Sequence, residues 1–141
     1  MTLLVDTSVW SLAFRRDVEA TEPEVQELRD ALFGVDVVVT TGLVLQELLQ
    51  GFAGAKAQAQ IIDRFAALPL VQPDRDDHIG AAALRTSCRQ SGVQIGTIDA
   101  LLAQLAIRHD LTLLTTDKDF THAARHCALR VWPAKARASD V

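Results

Sequence analysis

Cysteine, long apolar runs and positive charge are all scarce in this chain, and each scarcity closes off a class of function. Only two cysteines are present, Cys88 and Cys127, far apart and outside any CxxC spacing. They read as buried, reduced thiols; with no HExxH pattern either, a structural zinc site is not expected. No uncharged apolar run approaches the ~20 residues that span a bilayer. No basic segment followed by an apolar core opens the chain. A cytoplasmic protein with no membrane partner is the expectation. The formal charge is −4, which argues against a grip on nucleic acid driven by the charge of the whole molecule. The charge is unevenly placed, however. From Arg108 onward the basic residues (Arg108, Lys118, Arg125, Arg130, Lys135, Arg137) outnumber the acids (Asp110, Asp117, Asp119, Asp140). A basic edge can therefore adjoin an acidic pocket.

What is present is a chain of 141 residues, 49% apolar and 23% charged, long enough to bury a real core. It shows no repeat, linker or low-complexity block. Leu3-Leu4-Val5-Asp6 reads as a buried strand ending at Asp6 and passing at once into a helix from Thr7 to about Arg15. Thr21-Glu22-Pro23-Glu24 reads as a capped start with proline in the first turn, for a helix reaching Phe33 and ending at Gly34. Val37 to Thr40 is a β-branched run and hence a second strand. Thr41 and Gly42 open a helix over Leu43–Phe52, and another is expected over Ala55–Leu68. Leu70-Val71, between Pro69 and Pro73, is the weakest strand candidate. Asp74-Arg75-Asp76-Asp77 opens a helix to Ser91, its aspartates suiting the positive end of the helix dipole. Gly96-Thr97-Ile98-Asp99 opens the most apolar helix, Ala100 to His109. Leu111–Thr115 and Leu129–Trp132 complete the strands, with a short helix after Asp117. The expected domain is 1–133, with 134–141 a flexible tail. Short apolar strands alternating with helices imply a three-layer α/β/α domain around a mostly parallel sheet of four to five strands.

In such folds sites form at the carboxyl ends of strands, where strand order reverses. Asp6, Glu47, Asp99 and Asp117 all fall where that edge is expected, and Asp119 follows two residues after Asp117. Each has an ordinary alternative: Asp6 and Asp117 as helix caps, Asp99 and Asp119 as first-turn acids, Glu47 on a solvated helix stripe. Gathered in one pocket, they would either take up protons or bind a hard divalent cation. An all-oxygen set suits Mg²⁺ or Mn²⁺. Thr7, Ser8 and Thr115 are candidates for positioning these carboxylates, besides serving as ordinary capping or strand residues. The histidines His109, His122 and His126 read as surface residues, which disfavours a histidine-dependent attack by the ribose 2′-hydroxyl. Arg85, Arg89, Lys118 and Arg125 are candidate phosphate contacts.

The fragments Asp6-Thr7-Ser8-Val9-Trp10, Glu47-Leu48-Leu49-Gln50-Gly51, Thr97-Ile98-Asp99-Ala100-Leu101-Leu102-Ala103 and Leu114-Thr115-Thr116-Asp117-Lys118-Asp119-Phe120 together resemble PIN-domain ribonucleases. The resemblance is strongest to VapC-type toxins of bacterial toxin–antitoxin modules and runs from about Leu3 to Pro133. It implies Mg²⁺-dependent endonucleolytic hydrolysis of RNA, leaving a 5′-phosphate and a 3′-hydroxyl. Asp6, Glu47, Asp99 and Asp117 would be the catalytic metal-binding set, with Asp119 an outer or alternate ligand. It also implies a homodimer silenced by a small antitoxin lying over the helices at Val9–Phe14 and Leu43–Phe52. Discounting the four site carboxylates removes the whole formal negative charge, so net charge then no longer opposes RNA. Two other readings stay open: a receiver-like phosphoacceptor domain, and a PIN-like module that binds RNA or a partner without cleaving.

Overall fold

Four short parallel strands form the centre of the molecule. In the computed structural model, which describes residues 1–133 except 16 and 18, they are β1 (Thr2–Val5), β2 (Val37–Val39), β3 (Thr112–Leu114) and β4 (Arg130–Val131). Seven helices connect and flank them: α1 (Thr7–Phe14), α2 (Pro23–Phe33), α3 (Gly42–Gly51), α4 (Ala55–Ala66), α5 (Arg75–Gln90), α6 (Thr97–Arg108) and α7 (Lys118–Ala123). The expected tail, 134–141, lies outside the described residues.

The strand order is β2-β1-β3-β4, with every pair parallel. Leu3 therefore faces Val38 on one side and Thr112 on the other. Leu3, Leu4, Val5, Leu113 and Leu114 are completely buried, as expected for strands covered by helices on both faces. The chain leaves β1 toward β2 on one side and reaches β3 on the other, so the reversal lies between β1 and β3. Asp6 and Thr115 follow those two strands directly.

The Leu70-Val71 strand is not formed. Thr40 makes one isolated parallel bridge to Leu70, with the Thr40 N–H donating to Pro69 O at 3.0 Å and the Val71 N–H to Thr40 O at 2.7 Å. Pro69 and Pro73 supply no N–H and leave no room for a longer ladder. Two further boundaries shift. Asp6 is not a strand residue but the N-cap position of α1, although its N–H still donates to Leu114 O at 2.9 Å. At the start of α2, Glu22 rather than Thr21 holds the cap position, and no side chain caps it.

Helix ends elsewhere follow local chemistry. The Thr41 hydroxyl accepts the Val44 N–H at the start of α3. Asp74 and Asp77 form a reciprocal capping box at the start of α5, consistent with their reading as helix-start residues. The Asp77 carboxylate is fully buried, and Arg108 at the end of α6 reaches it, tying α5 to α6. Arg108 also pairs with Asp74 at 3.2 Å. At the far end of α5, Gly92 adopts a φ of 81°. There the Val93 N–H donates to Cys88 O and the Gly92 N–H to Arg89 O, a left-handed closure that glycine makes without a Cβ penalty. On the other face of the sheet, Trp10 of α1 packs its ring 4.8 Å from that of Phe65 in α4.

Candidate active site

Asp6 is held by hydroxyls rather than used as a cap. Its Oδ2 accepts hydrogen bonds from Ser8 Oγ and Thr115 Oγ1, both at 2.8 Å, and no side-chain hydrogen bond from Asp6 caps α1. Its residue exposure is only 7%, so the pair of hydroxyls replaces lost water around a nearly buried carboxylate. The cap-like role does not pass to Thr7 or Ser8. Each hydroxyl instead serves the carboxylates, and those of Ser8 and Thr115 also accept backbone N–H groups. Thr115 Oγ1 accepts the Asp117 N–H at 3.0 Å, and Ser8 Oγ accepts the Thr116 N–H at 3.1 Å. The ends of β1 and β3 are thereby stitched across the reversal point of the sheet.

Glu47 reaches the same edge from α3, where Thr7 Oγ1 donates to its Oε1 at 3.0 Å. Asp117 is the N-cap of α7, its Oδ1 accepting the Asp119 N–H at 2.9 Å. The capping role foreseen for Asp117 is therefore real, and leaves its other oxygen to the pocket. Asp99 lies in the first turn of α6, half-buried, with no hydrogen bond to its carboxylate among the described residues. Burial, then the charges of Asp6, Asp117, Glu47 and Asp119 in that order, push its carboxyl up to about 6. All five acids thus share one field. Asp119, exposed on α7, contributes least to it.

The donor set suits a hard cation, because it is all oxygen and carries more negative charge than it can comfortably hold. Among the described residues, no three His, Cys, Asp or Glu side chains are already arranged to hold a metal ion. That is compatible with Mg²⁺, which typically keeps several waters and takes only one or two carboxylates directly.

Ser8 and Thr115 as a joint clamp on one oxygen of Asp6 could not be read from the chain, since more than a hundred positions separate them. Of the candidate phosphate contacts, Arg85 donates its Nε–H to Ile95 O at 2.8 Å. Both cysteines are free of disulfides, as expected, but only Cys88 is buried and Cys127 is half-buried. Burial pushes the Cys88 thiol up, keeping it protonated.

A family model described as PIN domain matches residues 3–126. The chain belongs to the PIN-domain family. Solved structures with the same fold include VapBC2 from Rickettsia felis bound to a promoter DNA fragment, with a TM-score of 0.71 and 23% identity over 93% of this chain and 97% of that one. FitAcB from Neisseria gonorrhoeae gives a TM-score of 0.68 and 24% identity over 92% and 95% of the two chains. VapC20 of Mycobacterium tuberculosis, described as a sarcin–ricin loop cleaving toxin, gives 0.66 and 20% over 91% and 98%. The PIN fold accounts for the parallel sheet covered by helices. It also displaces the receiver-like reading. No helix among the described residues of this PIN domain is long and apolar enough to cross a membrane.

Proposed function

We propose that this PIN domain is a Mg²⁺-dependent endoribonuclease and the toxin of a toxin–antitoxin pair, with Mn²⁺ able to substitute. The observation that carries this reading is the convergence of Asp6, Glu47, Asp99 and Asp117 on the reversal point of the sheet, with the Asp99 carboxyl pushed up to about 6 by burial and its neighbours. Asp6 and Asp99 are the proposed ligands, with Asp117 and Glu47 acting directly or through water and Asp119 as an outer or alternate partner. A bound Mg²⁺ would supply charge stabilisation at the phosphoryl group and a water of lowered pKa.

The residues around the carboxylates do the positioning. Ser8 and Thr115 hold Asp6 through Oδ2, and Thr7 holds Glu47 through Oε1. Asp117 is oriented by the N–H groups at the start of α7. A site organised this way hydrolyses a phosphodiester without a histidine, leaving a 5′-phosphate and a 3′-hydroxyl.

Several solved relatives are toxin–antitoxin complexes by name, which supports a small antitoxin as partner. An apolar cavity of about 250 Å³ between α1, α2 and α4 suits its anchoring side chains, lined by Trp10, Phe14, Leu32, Phe33, Arg29 and Arg64 among others. Phe33 is 86% exposed, and the buried Trp10 Nε1–H has no hydrogen-bond partner among the described residues. The two arginines suit an acidic segment. A homodimer is proposed on the same family grounds, with exposed Ile79 and Ile98 available to a second copy; sedimentation of the purified protein measures it. The residue assignments are tested by incubating the protein with mixed RNA, in Mg²⁺ or in chelator, and repeating with Asp6→Asn. Cleavage that needs Mg²⁺ and is lost on substitution is expected; undiminished cleavage in chelator, or by the variant, overturns the site.

A further inference from the structure

Beside the carboxylate edge lies a second cleft, of about 280 Å³, between the turn after α5 and the face of α7. Its lining includes Gly92, Gln94, Asp119, His122, Arg125 and His126. The helical turn of α7 continues beyond Ala123 through the Arg125 N–H to His122 O and the His126 N–H to Ala123 O. Residues 122, 125 and 126 are therefore spaced three and four apart on a helical path, which stacks their side chains on one side. All three are exposed.

None of the three side chains makes an ion pair or hydrogen bond among the described residues. Arg15, Arg108 and Arg130, by contrast, are held by Asp17, by Asp74 and Asp77, and by Asp110. Gly92, in the left-handed region, Val93 and Gln94 complete the lining. Asp119 joins the two clefts: it lines this one and contributes to the field on Asp99 in the other.

We propose that this cleft binds the RNA strand next to the cleaved bond, with the Arg125 guanidinium on a phosphate and the His122 and His126 imidazoles and the Gln94 amide as hydrogen-bond donors to phosphate or ribose. The proposal rests on the nuclease reading for the identity of the polyanion. It supplies what the carboxylate edge lacks, a guanidinium without a protein partner among the described residues and further hydrogen-bond donors for a phosphate or ribose. A guanidinium free of protein partners can offer its paired N–H groups to a phosphate. Contacts of this kind fix the register of a strand over a site without reading its sequence.

The test uses full-length protein and a short fluorescein-labelled single-stranded RNA, with binding read by anisotropy in Mg²⁺ on an Asp6→Asn background that prevents cleavage. Arg125→Ala and the double variant His122→Gln/His126→Gln are compared with Arg75→Ala, an exposed position on α5 that lines neither cleft. Loss of the Arg125 contact is expected to weaken binding about fivefold or more and to lower the slope of log K against log salt by about one. In cleaving protein, KM rises with kcat unchanged. Arg75→Ala leaves RNA affinity as it was. Thermal melting verifies that the exposed substitutions leave the fold intact. Binding and KM that are the same in both cleft variants as in their parents overturn the proposal. So does an acidic peptide that occupies the cleft while RNA affinity is unaffected by the substitutions. If the parent protein cuts no RNA in Mg²⁺, the nuclease reading fails, while the binding comparison still decides the cleft.

Discussion

Asp6 carries the clearest division between residue identity and residue role. Its burial requires compensation, which Ser8 and Thr115 supply as two donors to one oxygen. Thr115→Val removes one donor, and also leaves the Asp117 N–H without its acceptor. The expected cost is about 1–3 kcal/mol in a denaturant melt, with cleavage falling about tenfold as Asp6 and Asp117 lose their register. Asp6→Asn should remove several kcal/mol of transition-state stabilisation, or about a thousandfold in kcat, while raising rather than lowering metal-free stability by relieving repulsion on Asp99. Asp99 also makes stability depend on pH. Its carboxyl is raised in the folded protein, so the folded state binds a proton more tightly than the unfolded one. Its contribution is fully present below the ordinary aspartate range and is lost as pH rises through about 6. Thermal melts of the metal-free protein and of Asp99→Asn, compared between pH 4 and 7, should differ in slope in that direction. A parallel pair of curves would remove Asp99 from the shared field.

At the scale of elements, most boundaries were legible because local chemistry sets them. The Pro23 start and Gly34 stop of α2, the Thr41 cap, the Asp74 start of α5 and its Gly92 closure all depend on side chains within one turn. The Leu70-Val71 strand failed for the opposite reason. Its apolar character was read correctly, but pairing depends on N–H groups and on space between two prolines. The buried Asp77–Arg108 pair likewise joins two helices whose contact no local pattern reveals. Arg108→Ala would leave a fully buried carboxylate with one backbone donor and no cation. A loss of about 2–4 kcal/mol in chemical unfolding is expected, with little change in kcat per folded molecule, because the pair lies outside the carboxylate pocket. A loss below about 0.5 kcal/mol would mean that solvent reaches Asp77.

For the whole molecule, the strand order β2-β1-β3-β4 is the decisive feature. It sets β1 beside β3 and leaves the crevice at their carboxyl ends open. If that crevice binds a cation, binding to the folded state alone should stabilise the protein by about 2.7 kcal/mol at a hundredfold excess over Kd. That corresponds to several degrees in Tm at this size. Differential scanning fluorimetry with Mg²⁺, Mn²⁺ and chelator measures it, and Asp6→Asn should abolish most of the shift. An equal shift in the substituted protein would place the ion elsewhere.

The chain by itself determined the elements and which residue types carry the chemistry, because helix periodicity, buried strand runs, caps and isolated carboxylates are local properties. It also led to the expectation that the acids share one edge, through the rule that parallel strands end together. Only the tertiary structure decided how they are held. Thr115 reaches Asp6, Thr7 reaches Glu47, and Arg108 reaches Asp77 across separations of 109, 40 and 31 positions. The cleft beside the acids was undecided for the same reason: Arg125 read as a candidate phosphate contact, but His122 and His126 read as surface residues. What they face is set by the turn after α5, and a sequence contains no distance between them.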